Sequence, residues 1–129
     1  MTITNQTNPV GSRYESKKSV VFVPQKDGGL FGKSEKIYTT LRLTKTTNNP
    51  PTYRKEIYQH ESASGGNITQ IGTVDESGIV VLNSQVDYGN AEEEDFLGAV
   101  TLQIKNQTKD AEKQIKDKVN QDSKSINKN

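Results

Sequence analysis

Lys36-Ile37-Tyr38-Thr39-Thr40-Leu41-Arg42-Leu43-Thr44-Lys45 decides the fold. β-Branched, aromatic and aliphatic residues fill it, and alternation gives a strand two distinct faces. Ile37, Thr39, Leu41, Leu43 and Lys45 share one; Tyr38, Thr40, Arg42 and Thr44 share the other. Thr46-Thr47-Asn48-Asn49-Pro50-Pro51 has the composition of a turn, and Tyr53-Arg54-Lys55-Glu56-Ile57-Tyr58-Gln59-His60 resumes the extended pattern. The two runs predict an antiparallel hairpin with a polar tip. Lys36, Arg42, Lys45, Arg54 and Lys55 lie between positions 36 and 55 with no acid, so this hairpin carries the basic charge. Its second strand has two possible registers, one residue apart. Either Arg54, Glu56 and Tyr58 share the face of Arg42, or Lys55, Ile57 and Gln59 do. The first is preferred, because it leaves Ile57 to pack beneath a helix.

Working outward, Lys18-Ser19-Val20-Val21-Phe22-Val23 reads as a strand closed by Pro24, with Gly28-Gly29 as the following turn. Residues 2–10, bounded by Pro9 and Gly11, are expected to pair with it as the edge of an N-terminal hairpin over 2–24. Residues 62–78 carry Gly65-Gly66, Gly72 and Gly78 and present no continuous apolar face, which predicts a long flexible loop. Residues 79–88 return to a strand, with Leu82, Ser84, Val86 and Tyr88 on one face and Val81, Asn83, Gln85 and Asp87 on the other.

Gly89-Asn90 ends that strand. Asn90 followed by Ala91-Glu92-Glu93-Glu94-Asp95 reads as an N-cap with acids where a helix dipole favours them, opening a helical region over 90–119. Phe96, Val100, Ile104, Ala111, Ile115 and Val119 recur at helical spacing, whereas Asn106-Gln107-Thr108 interrupts the stripe and is expected to kink or split the helix. The lysines at 105, 109, 113, 116 and 118 read as a solvated helix face, and residues 120–129 as a polar tail. The order gives an α+β fold in a single domain spanning 1–129, its sheet over 36–88 and its helices at the C-terminal end.

Composition narrows the function classes. Hydrophobic residues make up 29% of the 129, and Leu, Ile, Val and Phe number only 28, so one chain builds a thin core. An obligate oligomer sharing its core between chains resolves this. Seventeen basic and sixteen acidic residues leave a net charge of +1, so any nucleic-acid site is local rather than global. The sequence has no cysteine and one histidine, His60, which removes thiolate chemistry, Cys-type zinc sites and paired-His sites. His60 reads as an ordinary strand-end residue. Glu92 to Asp95 are consecutive, so on a helix they spread around the axis and do not converge on a cation. No catalytic residue, metal or cofactor is expected, and the chain is not expected to be an enzyme. The N-terminus lacks the basic and apolar regions of a secretory signal, and the Asn-x-Thr triplets at Asn5, Asn67 and Asn106 are given no weight.

Four segments then resemble the coat proteins of the single-stranded RNA bacteriophages, the levivirus-type family. They are Val21-Phe22-Val23-Pro24; Leu41-Arg42-Leu43-Thr44-Lys45-Thr46-Thr47 with Tyr53-Arg54-Lys55 beyond the turn; Val86-Asp87-Tyr88; and Glu94-Asp95-Phe96-Leu97-Gly98. Each is weak alone, but their order, spacing and the chain length fit together. The resemblance implies an N-terminal hairpin, a five-stranded antiparallel sheet and two C-terminal helices clasping a partner subunit, with Phe96, Val100 and Ile104 at the dimer interface. It also implies a structural role: homodimers with a continuous sheet, an icosahedral shell assembled in the bacterial cytoplasm, and an inner sheet face that binds the single-stranded RNA genome. That face would also hold an operator hairpin whose binding represses translation.

Matched strand by strand, the family's adenine-pocket Thr falls on Thr40, with Arg42 and Thr44 following on the same face. Its base-contacting Asn falls on Asn83, and Val81 stands where many relatives place a stacking Tyr. Tyr38 on the same face is available to stack instead. Arg54, Glu56 and Tyr58 complete the candidate RNA-binding set from the neighbouring strand, and Gln85 follows Asn83 on the last strand. Splayed bases in polar or aromatic pockets, with Lys and Arg on phosphates, are how unpaired RNA is read. The rival classes are a β-sheet RNA-binding regulator that forms no shell, and an assembly subunit of a tail or fimbrial kind that binds no nucleic acid.

Overall fold

In a computed structural model, which describes residues 8–26, 34–84 and 86–127, β3 (Ser34–Asn48) is the longest strand and organises the rest. It pairs antiparallel with β4 (Pro51–Ser62), Leu41 facing Ile57 and Arg42 facing Glu56, and the pairing shifts register between Lys45 and Thr47. β5 (Gly65–Val74) follows on the far side of β4, then β6 (Val80–Leu82). On its other edge β3 carries two short strands end to end, β1 (Arg13–Glu15) and β2 (Ser19–Pro24). The sheet is antiparallel throughout, and one C-terminal helix, α1 (Glu93–Asn127), covers one face, so the fold is α+β.

Several expectations change. The N-terminal hairpin is not formed among the described residues: β1 and β2 both pair with β3, because its 15 residues offer an edge long enough for both. Ser16 bridges the break between them. Its amide donates to Leu41 O at 2.9 Å, and its hydroxyl accepts from Leu41 N at 2.9 Å, filling the gap in the ladder. Residues 2–7 and Gly28-Gly29 lie outside the described residues.

The long loop over 62–78 is largely a strand. β5 occupies Gly65–Val74, and its glycines have specific tasks. Gly65 and Gly66 hold positive φ of 139° and 93° where the chain leaves the β4–β5 turn. Gly72 lets β6 approach, since a Cβ there would stand 2.5 Å from Val81 O. The strand expected over 79–88 shrinks to Val80–Leu82, beyond which no ladder partner continues it among the described residues.

The helix begins later and ends later than expected. Asn90 is not its cap: the Asn90 carbonyl accepts Lys26 N at 2.6 Å and Ala91 bridges Gln25, which tethers the entry to β2, and α1 starts at Glu93. Residues 106–108 neither split nor stop it, and the backbone stays helical through Asn127, across most of the expected polar tail. Gln107 explains the continuity. It is buried in the stripe between Ile104 and Ala111, and its Nε2 donates to Thr39 O at 2.9 Å and Thr39 Oγ1 at 3.1 Å.

The core forms between α1 and the facing side of the sheet: Val21, Val23, Ile37, Leu41, Leu43, Ile57 and Val80 against Phe96, Val100, Ile104 and Ala111. Phe96 meets the Tyr88 ring edge-on at 5.2 Å. Phe96, Val100 and Ile104, expected to clasp a partner, are thus buried inside their own chain, because α1 folds back over its own sheet.

Candidate nucleic-acid interface

The face of the sheet away from α1 is uncovered, and strand register decides what it presents. Alternation along β3 sends Tyr38, Thr40, Arg42 and Thr44 to it, and the direct partners on β4 are His60, Tyr58, Glu56 and Arg54. The preferred register of the second strand therefore holds: Arg54, Glu56 and Tyr58 join Arg42, while Ile57 is fully buried beneath the helix. Seven of the ten sequence-predicted RNA-binding residues share this one surface. Val81, in register with Thr73 and through it with Glu56, is an eighth. Asn83 stands just past the end of β6, with its amide N–H donating to Ile71 O at 2.8 Å and its side-chain amide donating to Gln70 O at 2.9 Å, so it clamps the bulged edge of β5. Gln85 lies outside the described residues.

Arg42 is the centre of the cluster. Its guanidinium meets Glu15 Oε1 at 2.8 Å through both Nε and Nη2, donates from Nη1 to Tyr58 OH at 3.2 Å, and lies 4.3 Å from the Tyr58 ring centroid. Partial burial works against its charge, but the hydrogen bond and attraction from Glu15, then Tyr58 and Glu56, outweigh this and raise its pKa above the ordinary value. Glu15 reaches the site only because Glu15 and Arg42 face each other across β1 and β3. No local spacing in the sequence announces it. Arg54 is exposed and pairs with Glu56 at 3.4 Å. Thr40 Oγ1 and His60 Nε2 are hydrogen-bonded at 3.1 Å. Thr44 is buried on this face between Arg13 and Arg54, and its Oγ1 has no hydrogen-bond partner among the described residues.

The basic hairpin is split by this geometry. Lys36, Arg42 and Arg54 belong to the open face, whereas Lys45 and Lys55 belong to the helix side. Lys45 is buried and donates from Nζ to Asn8 O at 2.8 Å; Lys55 lines a cleft of about 330 Å³ beside Leu43, Tyr53 and Ile115. A larger cavity of about 720 Å³ opens where β4 and β5 meet the segment after β6, between Gln59, Thr69, Asn83 and Asp87. Among the described residues no three His, Asp or Glu side chains gather as a metal site, and no helix is long and apolar enough to cross a membrane.

The open face thus offers hydrogen-bonding hydroxyls, two tyrosines and a guanidinium held rigid from both sides, which suits reading planar, polar groups more than attracting charge from a distance. Comparison with known proteins finds no match to this chain among family models, curated proteins or solved structures.

Proposed function

We propose that this chain is a shell subunit of the levivirus coat-protein type, which dimerises, closes into an icosahedral shell and packages single-stranded RNA against the open face of its sheet. A genomic hairpin bound on the same face would give it a second role as a translational repressor. The observation that supports this most is the convergence of Tyr38, Thr40, Arg42, Thr44, Arg54, Glu56 and Tyr58 on one uncovered face, with the helix on the other. In this reading a second copy joins at β6, the outer strand of the sheet, where Ile79 and Val81 are exposed, and continues the sheet across the dimer.

A second reading, an RNA-binding regulator that builds no shell, draws support from a different observation. Phe96, Val100 and Ile104 are buried within one chain, so the core does not require a partner to close it. Expression alone in bacteria separates the two, read by negative-stain microscopy and absorbance at 260 and 280 nm. Uniform closed particles rich in nucleic acid are the expected result. Soluble dimers or monomers that stay unassembled across salt and concentration would sink the shell and leave the regulator.

A further inference from the structure

We infer that the β2 end of the open face is a stacking strip for unpaired bases of single-stranded RNA, built from Phe22, Tyr38 and His60 with Lys18 and Lys36 beside them. This rests on the RNA reading above and extends the same face toward β2, adding Phe22 and His60 to Tyr38. One line of the sheet carries Val20, Tyr38, His60 and Ile68 in direct cross-strand register over four strands. Phe22, paired with Lys36, stands one step further along β2 on the same face. Cross-strand and diagonal neighbours on one face lie within reach of aromatic side chains. Phe22 is 56% exposed and Ile68 55%, values that leave large apolar surface in water on a chain with little of it to spare.

Charge selects the occupant. Lys36 is exposed beside Phe22, and Lys18 Nζ reaches across to Ala63 O at 3.0 Å, close enough to His60 to act on its protonation. The one open-face acid that acts on His60 among the described residues, Glu15, is held by Arg42; Glu35 and Glu61 alternate toward the helix side, where Glu35 Oε1 accepts Asn90 N and Glu61 Oε2 accepts Asn67 N. Rings interleaved with unpaired cations are the composition that holds bases by their faces and the backbone by its phosphates, whereas an apolar protein contact would exclude exposed lysines.

The test is fluorescence anisotropy of the full chain with a labelled oligo-uridine strand and its abasic counterpart. Phe22→Ala is expected to weaken oligo-uridine binding about tenfold at unchanged salt dependence and to have no effect on the abasic strand, with Phe22→Trp restoring affinity. Lys36→Ala is expected to lower the salt slope by about one. Because Phe22 is largely in water, the fold survives its truncation. If Phe22→Ala binds like the parent while Arg42→Ala is weakened, the strip is wrong and the RNA reading stands. An equal loss on both strands would exclude stacking. Intact RNA affinity with lost self-association would make the strip a protein contact and overturn the proposal. Failure of the parent chain to bind either strand would remove the RNA reading and the strip together.

Discussion

The two faces of β3 come from the same fifteen residues yet obey different rules. Toward the helix, Ile37, Leu41 and Leu43 are buried by apolar neighbours, and the buried polar residues, Thr39 with Gln107 and Lys45 with the Asn8 carbonyl, are hydrogen-bonded. On the open side, Thr40 and Thr44 are buried too, but among polar neighbours, Thr40 hydrogen-bonded to His60 and Thr44 in register with Arg13 and Arg54. Burial on the first face removes apolar area from water and stabilises the fold; on the second it orders a polar surface at little gain. Substitutions on the helix side are therefore expected to unfold the protein, and those on the open side to change what it binds.

The sharpest way to break that contrast is Phe96→Ala. The ring is fully buried and meets Tyr88 edge-on, so its loss is expected to cost about 3–5 kcal/mol, measured by urea unfolding. A change below about 1 kcal/mol would mean that α1 does not pack on its own sheet.

Gln107 tests whether a polar group can belong to the helix side. Its Nε2 is satisfied by Thr39, while its Oε1 is buried without a partner among the described residues. Gln107→Glu replaces the donor with a buried charge and is expected to cost about 3 kcal/mol at neutral pH. Gln107→Leu removes the unpaired oxygen along with the donor and is expected to cost only about 1 kcal/mol. Equal effects from the two would place residue 107 in water.

This residue also shows where sequence reasoning stops. A polar triplet at 106–108 reads as an interruption of the stripe, because the partner that satisfies Gln107 lies 68 positions away in sequence. Gly72 misleads in the same manner: it looks like loop composition, but it stands opposite Ile57 where β6 must come close. The bulge at Ile57 and Tyr58 adds an extra residue to β5, which spoils the alternation that made β3 legible. By contrast β3, the 36–60 hairpin and the preferred β4 register needed only local periodicity, and these positioned most of the candidate surface. Glu15 joins it by pairing across strands, which no local pattern announces, whereas His60 follows from the alternation of Arg54, Glu56 and Tyr58 carried one step further.

On the open face, Arg42→Ala loses a partly exposed ion pair and a cation–π contact, which together predict about 1 kcal/mol of stability. Its larger consequence is expected in binding: weaker RNA affinity and packaging, with the oligomeric state seen by light scattering unchanged. A loss of stability comparable to that of Phe96→Ala would erase the distinction between the faces.

The smallest effect belongs to His60, the chain's one imidazole and so a clean NMR probe. Burial lowers its pKa from the usual value of 6.5, Lys18 lowers it further, and Glu15 opposes them. The folded state thus favours the neutral ring, which meets Thr40 Oγ1 through Nε2. Above about pH 7 the ring is neutral in both states and its contribution is fully present. As pH falls through 6.5 the unfolded chain takes up the proton first, so stability drops, and the loss is complete once pH has passed below the folded value. Most carboxylates titrate lower, which leaves a window just under pH 6.5 to this residue. Urea midpoints are expected to decline slightly across that window in the parent chain and to stay flat in His60→Gln. Removing the opposing cation by Lys18→Gln is expected to raise the imidazole pKa and shrink the decline; an unmoved titration would show that Lys18 does not lie over this end of the open face.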